Sequence, residues 1–179
     1  MTEAGSVYGQ ALYDLAFSEG LTSVIRDQLE VLRQSFEAEP EFIRLLRSPA
    51  LSKKERCQIL DDSFRGKVQP YLLNFLKILT EKGYMSHFSD CCVAYRDCYN
   101  RDNGILPVKA VTALPLSDDQ QKRLKEKLSA ITGKTIDLDM RIEAGVLGGI
   151  RLDYDGKRLD DTVSHRLDMI RNVLKNTVL

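Results

Sequence analysis

The residues best suited to chemistry in this chain are an imidazole and three thiols on one segment: His87, Cys91, Cys92 and Cys98. On a helix His87 and Cys91 stand one turn apart and Cys98 about two turns further, so three soft ligands share a face. Zinc sites use tighter ligand pairs with a second cluster elsewhere, so small core residues are the expectation here. Nucleophilic catalysis has as little support. The two histidines, His87 and His165, lie in charged helical segments without an evident acid–base partner. Asp160 and Asp161 form a carboxylate pair, yet their place just before a final helix suits capping and the helix dipole. Gly148-Gly149 enters a strand instead of opening a helix, so it lacks the N–H array that holds phosphate. A backbone bend or a close approach to a neighbour explains that pair. P-loop, dinucleotide, HExxH and CxxC patterns are all missing. No catalytic residue, cofactor or metal is expected.

The elements around these residues follow two grammars. Up to about residue 103 the chain reads as helix after helix. Tyr8, Ala11, Leu12, Leu15 and Ala16 share a face of a first helix that Gly20 ends. A second spans Leu21 to Ala38, with Val24, Ile25, Leu29, Leu32 and Phe36. Pro40 interrupts, and a short third helix runs from Phe42 to Leu46. Ser52 and Glu55 form a capping box that opens the fourth, which carries Cys57, Ile59, Leu60 and Phe64 inward. Tyr71, Leu72, Phe75, Leu76 and Leu79 make the fifth and most apolar helix, closed by Gly83. A sixth extends from about Met85 to Arg101. Short polar links between them predict a bundle of antiparallel neighbours.

Asn103-Gly104 and Pro107 mark a change of period. Val108, Ala110 and Thr112 alternate as a strand, and Ser117 with Gln120 caps a helix lined by Leu124, Leu128 and Ile131. Ile136, Leu138, Met140 and Ile142 alternate with charged residues as a second strand. Ile150, Leu152 and Tyr154 give a third, and Asp155-Gly156 supplies a two-residue hairpin turn. Arg158-Leu159-Asp160 returns, and Val163, Leu167, Ile170 and Leu174 stripe a final helix. The fold class is thus an all-α six-helix bundle over residues 1–104, followed by a small α+β domain over 105–179 ordered strand, helix, strand, hairpin, helix.

Composition excludes more than it selects. Among the 179 residues, 26 basic balance 26 acidic side chains, so no global field points to nucleic acid or an anionic membrane. Tyr154 is the only aromatic on a strand, which is poor equipment for stacking bases. No apolar run approaches the roughly 20 residues of a membrane span. The opening MTEAGSVYGQ shows neither a signal peptide nor an organellar presequence, which points to a bacterial or already processed chain. Cysteine usage suits a reducing compartment. The first and fifth helices carry more apolar residues than one buried stripe requires, as a groove for a partner helix would, or a wholly internal core.

At three places the residues resemble the δ subunit of F-type ATP synthases, the oligomycin-sensitivity-conferring protein of mitochondria. VYGQALYDLAFSEG is similar to that family's opening helix, with Gly9 where alanine is usual. LLNFLKILTEKGYM resembles its fifth helix, with Asn74 and Gly83 in place. GGIRLDYDGKRLDDTVSHRL is similar to its closing element, although Asp161 stands where glycine or alanine is commoner and an arginine is missing near Ser164-His165. The resemblance implies a non-catalytic stator component, present once per complex, on the cytoplasmic face of a bacterial membrane or the matrix or stromal side of an organelle. It reaches the membrane only through the complex and binds no nucleic acid. Its first half would hold the N-terminal helix of an α subunit between helices one and five, and its second half would meet the b-type subunits of the peripheral stalk. Tyr8, Ala11, Asn74 and Ile78 are the groove positions so implied, to which helical spacing adds Leu12, Leu15 and Leu76. Gly148, Gly149, Asp160, Arg166 and Leu167 mark the stalk-docking element. A general helical adaptor is the alternative, and an unrecognised small enzyme a third.

Overall fold

The computed structural model describes residues 2–167. They sort into two compact units, Met1–Tyr99 and Asn100–Leu179, each with its own apolar core.

The first unit is helix-rich: α1 (Glu3–Ser18), α2 (Thr22–Ala38), α3 (Pro40–Arg47), α4 (Lys53–Phe64), α5 (Pro70–Lys82) and α6 (Phe88–Asp102), with a 3-10 turn at Met85–His87 before α6. Proline placement is informative. Pro40, expected to interrupt, instead occupies the first turn of α3, where its missing N–H costs nothing because no helical acceptor waits for it. Pro70 opens α5 in the same way, and left-handed Gly83 closes it. The Ser52–Glu55 capping box forms with both reciprocal bonds. At the centre, Phe36 of α2 meets Phe42 of α3, Phe64 of α4 and Phe88 of α6 with ring centroids 5.1–6.1 Å apart. Tyr95 is fully buried on α6, and its hydroxyl donates to the Thr22 carbonyl at 2.9 Å, which satisfies the one polar atom it takes inside.

The buried stripe of α1 lies one step round from the expected one. Gly5, Gly9, Leu12, Tyr13 and Ala16 face inward, and Ala11 and Leu15 do not. The cause is α6, which crosses α1 at its glycines. A Cβ on Gly9 would stand 2.5 Å from the Cys91 carbonyl oxygen and 2.7 Å from the Ala94 Cβ, so only a bare backbone fits.

The second unit is a mixed sheet with a helix against one face. β1 (Ile105–Thr112) pairs parallel with β2 (Thr135–Ile142) through the crossover helix α7 (Asp118–Thr132). It pairs antiparallel with β3 (Ile150–Tyr154), which continues into β4 (Lys157–Asp160), giving the order β2-β1-β3-β4. Asp155 and Gly156 both adopt positive φ in the hairpin turn, as the Asp-Gly pair requires. Pro107 lies within β1, not before it. Its ring sits on the flank where β3 has not yet begun, because β3 pairs only from Lys109 onward, so no ladder bond is lost. Leu106, Val108, Ala110, Leu128, Ile136 and Leu152 form the core, whereas Ile131, expected on the α7 stripe, is 81% exposed. Residues 163–167 are helical, and the rest of the expected final helix, including Ile170 and Leu174, lies outside the described residues.

Candidate docking surfaces

The sulfur and imidazole cluster comes apart in the structure. Cys91 and Cys92 are buried in the first core, and burial pushes their thiols up to about 11 and about 12, far from thiolate reactivity. His87 turns instead to the N-terminus, its Nδ1 3.3 Å from the Thr2 hydroxyl. That hydroxyl caps α1 by accepting from the Gly5 N–H, and donates to the Asp90 carboxylate at 2.8 Å. Among the described residues no group of three or more His, Cys, Asp or Glu is placed to hold a metal ion.

Side chains of α1 and α5 pair near both ends of the two helices. Near the start of α1, Tyr8 meets Tyr84, just beyond α5, with ring centroids 5.6 Å apart. Just past the end of α1, the Glu19 carboxylate lies near the Tyr71 phenol at the start of α5 and holds its pKa above the ordinary value. The helices therefore run antiparallel, with side chains close near each end. Helical geometry aligns Tyr8, Leu15 and Glu19 on α1 and Tyr71 with Ile78 on α5. Between these ends Leu15 and Ile78 are 39% and 38% exposed, and Ala11 is exposed beside them.

The structure divides the groove residues named from sequence. Tyr8, Ala11, Leu15 and Ile78 share the accessible side. Leu12 and Leu76, 3% and 0% exposed, point the other way into the core and can only support the surface from below. Asn74 is exposed but borders a different feature, a cleft of 310 Å³ between α4 and α5 lined also by Asp61, Arg65, Leu73 and Lys77. There the Lys77 ammonium, 2.6 Å from Asp61, holds that carboxylate below its usual range. Tyr71, Tyr84 and Glu19 were missed. The signal for Tyr84 was its place directly after Gly83, whose turn sends the chain back toward α1.

The closing element is a backbone clamp. Gly149, at φ +82°, has no room for a side chain because the Asp161 carbonyl and Thr162 Cα press on it. The Val163 N–H donates to the Gly148 carbonyl at 3.0 Å and the Asp161 N–H to the Ile150 carbonyl at 3.1 Å. Asp160 accepts the Thr162 N–H at 3.1 Å, and Thr162 caps the helical segment by accepting the His165 N–H at 3.1 Å. These bonds depress the Asp160 pKa, with the Thr162 side chain contributing most. Arg166 pairs with Asp161. Gly148, Gly149 and Asp160 thus serve folding by fixing how the last segment leaves the sheet. Leu167, with Val163 a turn earlier, stays half-exposed. Thr162 is buried and central to the clamp, a role that strand and helix periodicity do not single out.

Comparison with known proteins extends the geometry to a lineage. The chain is 30% identical over 172 residues to the ATP synthase subunit delta of Clostridioides difficile (strain 630), covering 96% of this chain and 95% of the relative. It is 30% identical over 167 residues to ATP synthase subunit delta of Chlorobium phaeobacteroides, covering 93% and 92%. The fold matches a chain in the cryo-EM structure of the Toxoplasma gondii mitochondrial ATP synthase hexamer, with a TM-score of 0.74 at 24% identity over 97% of this chain and 98% of that one. Residues 5–174 match the family described as ATP synthase delta (OSCP) subunit, and the chain belongs to that family.

Proposed function

We propose that this protein is the static link between the catalytic head and the peripheral stalk of an F-type ATP synthase, and that it catalyses no reaction itself. The observation that carries the reading is the accessible apolar line of α1 and α5. Leu15 and Ile78 stay open while their neighbours Leu12 and Leu76 complete the core, so the surface is surplus to folding. An amphipathic helix laid along that line would bury its apolar stripe on Tyr8, Ala11, Leu15 and Ile78. The occupant is the N-terminal helix of one α subunit. Asn74 lies outside this line, on the α4 flank of α5.

The six helices of the first unit act as one bundle for this purpose, with a boundary at residues 104–105. The second unit meets the b-type stalk subunits, with Arg166 and Leu167 on the side offered to them. One copy serves each complex, at the cytoplasmic face of the plasma membrane. Among the described residues no helix is long and apolar enough to cross a membrane, so attachment runs through the partners. Holding the head still while the rotor turns requires contacts at both ends and no chemistry between them. Co-purification tests this: tagged full-length protein should retain α and b-type subunits together. Retention of neither would overturn the reading.

A further inference from the structure

Among the described residues, no strand pairs with the outer edge of β2. The Thr135 N–H donates to the Gly104 carbonyl and the Glu143 N–H to the Thr112 carbonyl, both at 2.9 Å, at the two ends of the β1–β2 ladder. In a parallel ladder a residue turns its N–H and C=O the same way, and the next residue turns both the opposite way. Thr135, Asp137, Asp139 and Arg141 therefore face β1. Ile136, Leu138, Met140 and Ile142 direct their backbone groups outward, where no described strand pairs with them.

The two edges of the sheet differ in length and in regularity of pairing. β4 has four residues, three of them charged, which discourages pairing. β2 has eight, without proline or glycine, in unbroken register with β1. One of its faces bears Asp137 and Asp139. Arg141 pairs with Asp139 at 3.4 Å, which leaves Asp137 as the carboxylate of that face without an ion pair among the described residues. On the other face Ile142 is 60% exposed, and Ile131 of the helix that covers this face is 81% exposed.

We propose that the β2 edge receives an extended segment of a partner polypeptide as a fifth strand. The segment alternates apolar residues, which cover Ile142 and Ile131, with basic residues, one of them opposite Asp137. Main-chain bonds to Ile136, Leu138, Met140 and Ile142 supply the adhesion, and the alternating side chains select the partner. The inference rests on the reading that the second unit meets the stalk, and assigns the contact to a strand of a stalk subunit.

Amide-resolved hydrogen exchange on the full chain, with and without purified b-type stalk subunits, tests it. Among the amides of β2, those of Leu138, Met140 and Ile142 should exchange fast in the free protein and slow at least tenfold on addition, while those of Asp137, Asp139 and Arg141 stay protected throughout. Met140→Pro removes an outward donor without touching the β1 ladder, and should weaken stalk binding at least tenfold where Met140→Leu does not. Stalk binding that leaves the outward amides unprotected overturns the strand and keeps the docking. Absence of stalk binding overturns the docking itself. Protection that rises with protein concentration alone overturns the stalk as occupant in favour of a second copy of this chain.

Discussion

A Cβ placed on Gly149 would lie 2.3 Å from the carbonyl oxygen of Asp161, twelve residues later in the chain. That approach locks the exit of the sheet to the start of the last helical segment. Gly149→Ala adds an impossible contact to a left-handed backbone, and should destabilise the second unit by about 2–4 kcal/mol. Chemical denaturation of the full chain should show this as a lower midpoint for probes in the sheet. An unchanged midpoint would mean that the backbone relaxes freely there.

Gly9 makes the matching case in the first unit. Alanine favours a helix interior by about 1 kcal/mol over glycine, but the Cβ would press on the Cys91 carbonyl and Ala94. Overpacking of this kind costs about 1–3 kcal/mol, so Gly9→Ala should be net destabilising by about 1 kcal/mol. Thermal unfolding decides between the two effects, and a rise in Tm would show that α1 and α6 part without penalty.

Acid should loosen the fold through its aspartates. Asp61, Asp90, Asp153 and Asp160 are held below the usual aspartate range, by Lys77, Thr2, Arg158 and Thr162 respectively. A depressed folded-state pKa stabilises fully above the unfolded value of about 3.9, and that stability is lost as pH falls through the depressed values. Denaturant midpoints should therefore be flat in these terms above about pH 5 and decline below about pH 4. Asp160→Asn should flatten part of that decline, as read from probes in the second unit.

Thiol labelling should follow burial. Cys91 and Cys92 are buried, whereas Cys98 and Cys57, whose thiol partial burial also pushes up, are only half-buried. Iodoacetamide on the native protein near pH 8 should modify Cys57 and Cys98 first, as peptide mass spectrometry would show. Early modification of Cys92 would contradict the packing of α6.

Local chemistry was largely legible in the sequence. Ser52 with Glu55, Ser117 with Gln120, and Asp155-Gly156 each specify their structure through bonds or dihedrals within a few residues, and each forms. What depended on a distant neighbour was not. Helical periodicity put Leu12 and Leu15 on one face of α1 but could not choose which turns inward. The glycine crossing with α6 makes that choice and rotates the buried stripe toward Tyr13. Pro107 signals the end of helix, as the structure has it, but not that β1 already begins at Ile105, which is possible because β3 pairs only with the later part of β1. Asn74 carried a family resemblance but no information on which flank of α5 it would occupy. Ile131 matched a stripe that runs past the covered part of α7.

The groove on α1 and α5 is tested most directly by titrating a synthetic α-subunit N-terminal peptide against the full chain and against Ala11→Asp and Ile78→Asp. Both positions are exposed, so each variant should keep its unfolding midpoint. A carboxylate trapped beneath an apolar helix costs about 2–4 kcal/mol, since it is desolvated without a partner. The account predicts a loss of affinity of at least tenfold for each folded variant. Wild-type affinity in both would contradict it.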